Sequence, residues 1–288
     1  MAKEIEIFQI DAFTKEAFAG NPAGVTFSDN LTKNEKQLVA KEMNLSETAF
    51  ISNSNEADFR LQWFTPANEV KLCGHATIAS LHFLYEKNII SNKQQITFKT
   101  LSGILKCSVQ DDKYLMQIPT QALEEFSGCK EEILAALCID RNDVSDLPFI
   151  INKDGYLFIA ITSLKALWNI KPDYKMLKQL SVDKKEFFDV SVFTTETVDN
   201  NSSAHIRFFA PFHGIDEDPV TGSACGPMLP VLLKLGQLKD YLNNTFITIE
   251  QGDVLDRKGR VFVKIDSQNN ELYIAGNAVT VFKGSLSF

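Results

Sequence analysis

The chain of 288 residues carries 29 Lys and Arg against 37 Asp and Glu, a formal charge of −8. That balance repels a phosphate backbone, and with no Lys/Arg cluster forming a basic stripe it argues against nucleic acid as a partner. The length exceeds the usual single domain and points to two compact lobes, while the longest apolar runs fall far short of the ~18–20 residues that span a bilayer.

In chain order, "MAKEIEIFQIDAF" has acids where a signal peptide has a basic region followed by an apolar one, so a soluble cytoplasmic protein is expected. The β-branched and aromatic content of "EIEIFQIDAF" predicts a strand, and "KNEKQLVAKEM" places Leu38, Val39 and Met43 at helical spacing. "TAFIS" reads as a strand. From Ala76 to Tyr85 the sequence is almost wholly apolar, which predicts a helix buried on all sides. Thr120–Asp146 reads as acid-rich helical sequence carrying the crossing between lobes. "ACGPMLPVLLKL" predicts a second buried helix, with Pro227 in its first turn and Pro230 kinking it. "GRVFVKID" and "NELYIAG" read as short strands separated by "SQNN".

The halves echo one another. "ADFRLQWFTPANEVKLCGHATIA" and "SAHIRFFAPFHGIDEDPVTGSACG" each run from a polar stretch through an aromatic strand and a Phe-x-Pro stop to a glycine opening an apolar run. Phe64 and Phe209 lie 145 residues apart, Gly74 and Gly222 148, and Ile96 of "ITFKTLSG" and Ile247 of "ITIEQGD" 151. Anchors in one order at slowly growing offsets indicate a duplication. The expected fold is α+β, with two pseudo-symmetric lobes at about 1–122 and 123–288, each a mixed sheet enclosing a central buried helix. The C-terminal strand is free to return to the first lobe.

Both predicted buried helices open at a glycine turn. A helix N-terminus leaves about four N–H groups without intrahelical partners and carries roughly half a positive charge. Gly74 and Gly222 would let a small carboxylate approach closely, and Thr221 or Ser223 could cap the second helix or donate a hydroxyl to the ligand. Taken singly, each turn simply starts a helix; as a pair they suggest a clamp. His75 follows Gly74 and Asp218 precedes Gly222 by four residues, so each lobe supplies one titratable group. Asp218 is otherwise a turn acid before Pro219, and His75 a structural histidine. Glu47, in "NLSETAF", is either a solvated loop glutamate or a carboxylate raised toward neutrality by neighbours such as Phe50, able to accept and return a proton. "VTGSACG" fits neither a P-loop nor a nucleophile elbow, and no nucleotide cofactor is indicated. The five cysteines lack a CxxC pair and a ligand-like histidine spacing, so reduced thiols and no zinc site are expected.

The strings "DAFTKEAFAGNPAGV", "LSETAF", "WFTPANEVKLCGHATIAS" and "DEDPVTGSA", in this order over the whole chain, resemble the PhzF family of phenazine-biosynthesis-like proteins, which share the fold of diaminopimelate epimerase. The resemblance implies an active site between two barrel-like lobes and a homodimer, with no cofactor and no metal. It implies that Glu47 is the catalytic glutamate and that His75, Asp218 and Ser223 serve the substrate site. Asn21, Gly74 and Gly222 match positions lining that site. The implied chemistry is isomerisation of a small carboxylate-bearing metabolite by proton removal and return. The alternatives are an amino-acid epimerase or racemase and a non-catalytic small-ligand binding protein. Epimerases of this fold use two thiols; Cys73 occupies the place of the first, but no cysteine stands near Asp218 and Pro219 for the second. Cys73 is therefore read as a pocket-lining spectator and Cys225 as core. Asp216 and Glu217 are expected in solvent.

Overall fold

In the computed structural model, which describes residues 3–288, strands dominate: eighteen accompany six α-helices among the described residues. Contacts divide the chain into one unit that ends at Ile118 and resumes with Tyr273–Phe288, and a second formed by Pro119–Leu272.

The first unit runs β1 (Glu4–Ala12), β2 (Asn21–Phe27), α1 (Lys33–Met43), β3 (Glu47–Ser52), β4 (Phe59–Phe64), β5 (Glu69–Val70), α2 (Gly74–Glu86), β6 (Gln95–Thr100), β7 (Gly103–Gln110) and β8 (Lys113–Ile118). β2 is antiparallel to β1 and parallel to β3. β4 is antiparallel to β3 and β5 and parallel to β6, from which β7 and β8 follow as antiparallel neighbours. A Thr32–Glu35 capping box starts α1, and Asn44 in the left-handed conformation ends it. Of the three apolar residues read at helical spacing on α1, Val39 is buried and Met43 packs at the edge of the core, but Leu38 is 65% exposed. Adjacent residues on a helix point about 100° apart, so Leu38 and Val39 cannot share one narrow stripe. The chain enters β2 through Gly20 at φ 61°, where a Cβ would overlap the carbonyl oxygen of Ala12. Only glycine fits this turn, which delivers Asn21 to the first position of β2.

The second unit runs β9 (Leu123–Glu125), α3 (Lys130–Leu137), β10 (Ile150–Asn152), β11 (Tyr156–Ala160), α4 (Leu164–Asn169), α5 (Tyr174–Lys184), β12 (Asp189–Thr194), β13 (Ala204–Ala210), β14 (Ile215–Asp218), α6 (Gly222–Lys234), β15 (Ile247–Gln251) and β16 (Gly259–Asp266). β17 (Glu271–Gly276) carries the chain onward, and β18 (Ala278–Ser287) pairs antiparallel with β1. Here β11 is parallel to β12, and β13 is antiparallel to β12 and β14 but parallel to β15, which is antiparallel to β16. These are the hands of β2 to β7 in the same order. Register repeats as well: Thr48 lies opposite Phe64 and Val190 opposite Phe209, so Asp189 opens β12 where Glu47 opens β3. The stretch expected to be helical from Thr120 is only partly so. Leu123–Glu125 is a strand paired with β10, and α3 is its single α-helix.

Each unit has its buried helix. On α2, nine residues including His75, Ile78, Leu81 and Phe83 are buried. α6 is buried likewise but begins at Gly222, so Pro227 lies inside the helix with Pro230 and not in its first turn. A buried hydrogen-bond network joins β13 to β15. The Glu250 carboxylate accepts from His205 Nδ1 at 2.9 Å and from the backbone N–H groups of Val198 and Asp199 at 2.8 and 2.7 Å. Burial pushes the Glu250 carboxyl up, but those hydrogen bonds outweigh it and bring it from 4.5 down to about 2. A depressed carboxyl stabilises the fold fully above its unfolded value and loses that contribution as pH falls toward its folded value. The urea midpoint should therefore fall between pH 4.5 and about 2. Glu250→Gln should lower the midpoint at pH 7 and flatten the profile in that window; an unchanged profile would assign the acid sensitivity to other groups.

Candidate active site

The first unit gathers its chemistry around one imidazole. His75, the second residue of α2, points at the start of β3, where its Nε2 lies 3.3 Å from Glu47 Oε2 and 3.3 Å from Ser46 Oγ. On the other side Asn21 Nδ2 lies 3.3 Å from His75 Nδ1, and Cys73 Sγ is 3.6 Å from the same nitrogen. The glycine turn into β2, the opening residue of β3 and the first turn of α2 thus converge, bringing Asn21, Glu47, Gly74 and His75 together. Glu47 belongs to a strand and its side chain is 12% exposed, so it is not a solvated loop glutamate.

Burial pushes the His75 imidazole from 6.5 down to about 3, so the ring is neutral at pH 7. A neutral ring has one N–H donor and one acceptor nitrogen. With the Asn21 amide donating into Nδ1, the proton sits on Nε2 and is directed at Glu47 and Ser46. The arrangement holds a buried carboxylate beside a neutral donor, suited to accepting and returning a proton. Cys73 occupies the N-cap position of α2, and neither α2 nor α6 has a side-chain cap or an acid in its first turn. Their N-terminal amides present positive dipole ends suited to an anion.

In the second unit Asp218 is the last residue of β14 and is buried, not an exposed turn acid. Thr221 stands at the N-cap of α6 but does not cap it with its side chain; its hydroxyl donates to Asp218 Oδ2. The carboxylate competes successfully for that hydroxyl because a charge-assisted hydrogen bond is the stronger one. Gln251, at the end of β15, ties this corner together. Its Oε1 accepts from the Thr221 N–H at 2.8 Å, and its Nε2 donates to the Asp218 carbonyl at 2.8 Å. Ser223 Oγ lies 3.5 Å from the Tyr156 hydroxyl, which burial pushes up to about 12 and so keeps protonated. Cys225 is fully buried, its Sγ 3.4 Å from Gln251 Oε1, and burial raises its thiol well above the ordinary range, in keeping with a core residue.

Sequence reasoning missed four members of this corner: Gln251, Tyr156, Asp189 and Glu217. Gln251 falls within the "ITIEQGD" echo already in hand, and Asp189 becomes visible once β12 is aligned on β3. Asp189 is buried, its Oδ2 is 3.4 Å from His213 Nε2, and burial holds its carboxyl above the ordinary range. Glu217, expected in solvent, instead makes a two-pronged pair with Arg207, both bonds at 2.8 Å and both side chains under a tenth exposed. Asp216 does face solvent. For a metal, the fitting group among the described residues is Glu47, Cys73 and His75, whose donor atoms all lie within 4.8 Å of one another.

A family model described as phenazine biosynthesis-like protein matches residues 10–284. An uncharacterized isomerase of Clostridium acetobutylicum is 39% identical, covering 99% of each chain, and one of Bacillus subtilis is 34% identical over 97% of each. Among solved structures, a PhzF-family phenazine biosynthesis protein from Bacillus anthracis superposes with a TM-score of 0.90 at 30% identity, covering 99% of each chain. A hydroxyproline epimerase from Agrobacterium vitis, bound to trans-4-hydroxy-L-proline, shares the fold with a TM-score of 0.62 at 11% identity, covering 99% of this chain and 91% of that one. No helix among the described residues is long and apolar enough to cross a membrane.

Proposed function

Because the chain belongs to the phenazine biosynthesis-like, or PhzF, family, we propose that it is a cofactor-independent isomerase of a small carboxylate-bearing metabolite. The observation that carries this reading is the buried Glu47 carboxylate held 3.3 Å from a neutral His75 ring at the start of α2. Glu47 takes a proton from one carbon of the substrate, becoming a carboxylic acid, and returns it to another position. His75, fixed by Asn21, orients the substrate. Asp218 polarises it, and Thr221 holds Asp218 in place for that role. The first-turn amides at Gly74 and Gly222, with the Ser223 hydroxyl, bind the substrate's carboxylate.

A racemase or epimerase is the second reading, favoured by Cys73 Sγ lying 3.6 Å from His75 Nδ1, where a thiol could share the proton transfer. The protein should catalyse exchange of a carbon-bound proton with solvent deuterium in at least one small carboxylate that raises its melting temperature in a metabolite screen. Deuterium retained at the same carbon with inverted configuration would support the epimerase; deuterium at a new position supports the isomerase. Ligands that bind with no exchange in any case would sink both and leave a binding protein. The same reading has the chain as a homodimer, which light scattering checks directly.

A further inference from the structure

We propose that Glu47, Cys73 and His75 form a site for a thiophilic divalent ion of the zinc type, and that its occupation silences the proton chemistry of the same pocket. The regulatory half rests on the function proposed above; the metal half does not. The donor set carries the argument. One thiol, one imidazole and one carboxylate are the three side-chain types zinc takes, and three protein ligands with an open fourth position is its catalytic or inhibitable form. Bonds of ~2.0–2.3 Å in a tetrahedron place neighbouring donors ~3.3–3.7 Å apart. Here His75 Nε2 lies 3.3 Å from Glu47 Oε2 and 4.0 Å from Cys73 Sγ, and all three donor atoms lie within 4.8 Å of one another, so small side-chain shifts toward a common centre complete the set. Calcium and magnesium, which take oxygen ligands, do not suit this set.

The surroundings supply the outer shell that zinc histidines use. Binding through Nε2 moves the ring proton to Nδ1, which faces the Asn21 side chain at 3.3 Å. A half-turn of that amide presents its oxygen to accept the Nδ1–H, the orienting bond found behind metal-bound imidazoles. The Cys73 sulfur, at the N-cap of α2, meets the positive end of the helix as a thiolate. Binding zinc releases the thiol proton to solvent, and the imidazole only exchanges one N–H for the other. Once its oxygen is on the metal, Glu47 no longer accepts a proton from carbon.

The test is calorimetric titration of chelator-treated full-length protein with zinc chloride in two buffers of different ionisation enthalpy. One ion per chain with release of close to one proton is expected. Cys73→Ser should weaken binding by ~100-fold or more, and Asn21→Leu by ~10–100-fold. Circular dichroism should confirm that both variants remain folded. Cobalt(II) should give a thiolate-to-metal charge-transfer band in the parent protein that Cys73→Ser lacks. Zinc affinity unchanged in Cys73→Ser, or cobalt bound without that band, overturns the site. In the deuterium exchange assay, zinc should stop exchange and a chelator restore it. Exchange that persists at zinc saturation, or that requires zinc, overturns the regulatory half while the binding data stand on their own.

Discussion

Glu47→Gln is expected to lower turnover by ~10³-fold or more, because it removes the group that accepts the substrate proton and keeps almost everything else. The amide has the carboxylate's shape, and its oxygen can still accept the Nε2–H of His75 from 3.3 Å away. Substrate affinity, read by calorimetry or by thermal shift, should therefore change by less than about tenfold, placing the loss in kcat and not in KM. The site is buried but the substitution leaves no cavity and no unpaired charge, so the melting temperature should stay close to the parent's. A variant that retains activity within tenfold would remove Glu47 from the proton path and turn attention to Cys73. His75→Asn provides the contrast. It keeps a neutral donor but shortens the reach to Glu47, and should raise KM as well as lower kcat.

What the sequence disclosed and what it hid divide along a physical line. The strand at "EIEIFQIDAF", the buried α2 and the two glycine turns were legible because each is a local pattern of period 2, period 3.6 or loop chemistry. Phe64 with Phe209 and Gly74 with Gly222 keep their order in the sequence, and the strand pairings around them recur, β2 to β6 in the first unit and β11 to β15 in the second. Whether a polar side chain faces water was not legible, since that depends on what the neighbouring strand presents. Glu217 reads like its neighbour Asp216, yet it is paired with Arg207 on β13. Thr221 reads as a helix cap, yet a carboxylate three residues earlier takes its hydroxyl. Asp189 carries no motif, and only the register of β12 against β13 shows that it holds the position of Glu47.

The Arg207–Glu217 pair carries the largest stability effect expected of any substitution considered. The guanidinium gives Nε and one terminal nitrogen to the two Glu217 oxygens at 2.8 Å. Its other terminal nitrogen goes to the carbonyls of Leu167 and Ile170, at 3.0 and 2.8 Å, tying β13 to the end of α4. Glu217→Ala leaves that guanidinium buried with no anion, a change that costs about 3–5 kcal/mol in comparable pairs. Removing both charges with well-packed apolar residues, as in Arg207→Met with Glu217→Leu, should recover a good part of the loss, because the desolvation of two ions disappears together. Urea unfolding of the parent, the single and the double variants closes the cycle. Glu217 immediately precedes Asp218, so the single variant should also depress turnover by loosening the end of β14, and the double variant should restore stability further than it restores activity. A single variant as stable as the parent would show that Arg207 is held by its carbonyl contacts alone and that the carboxylate is dispensable.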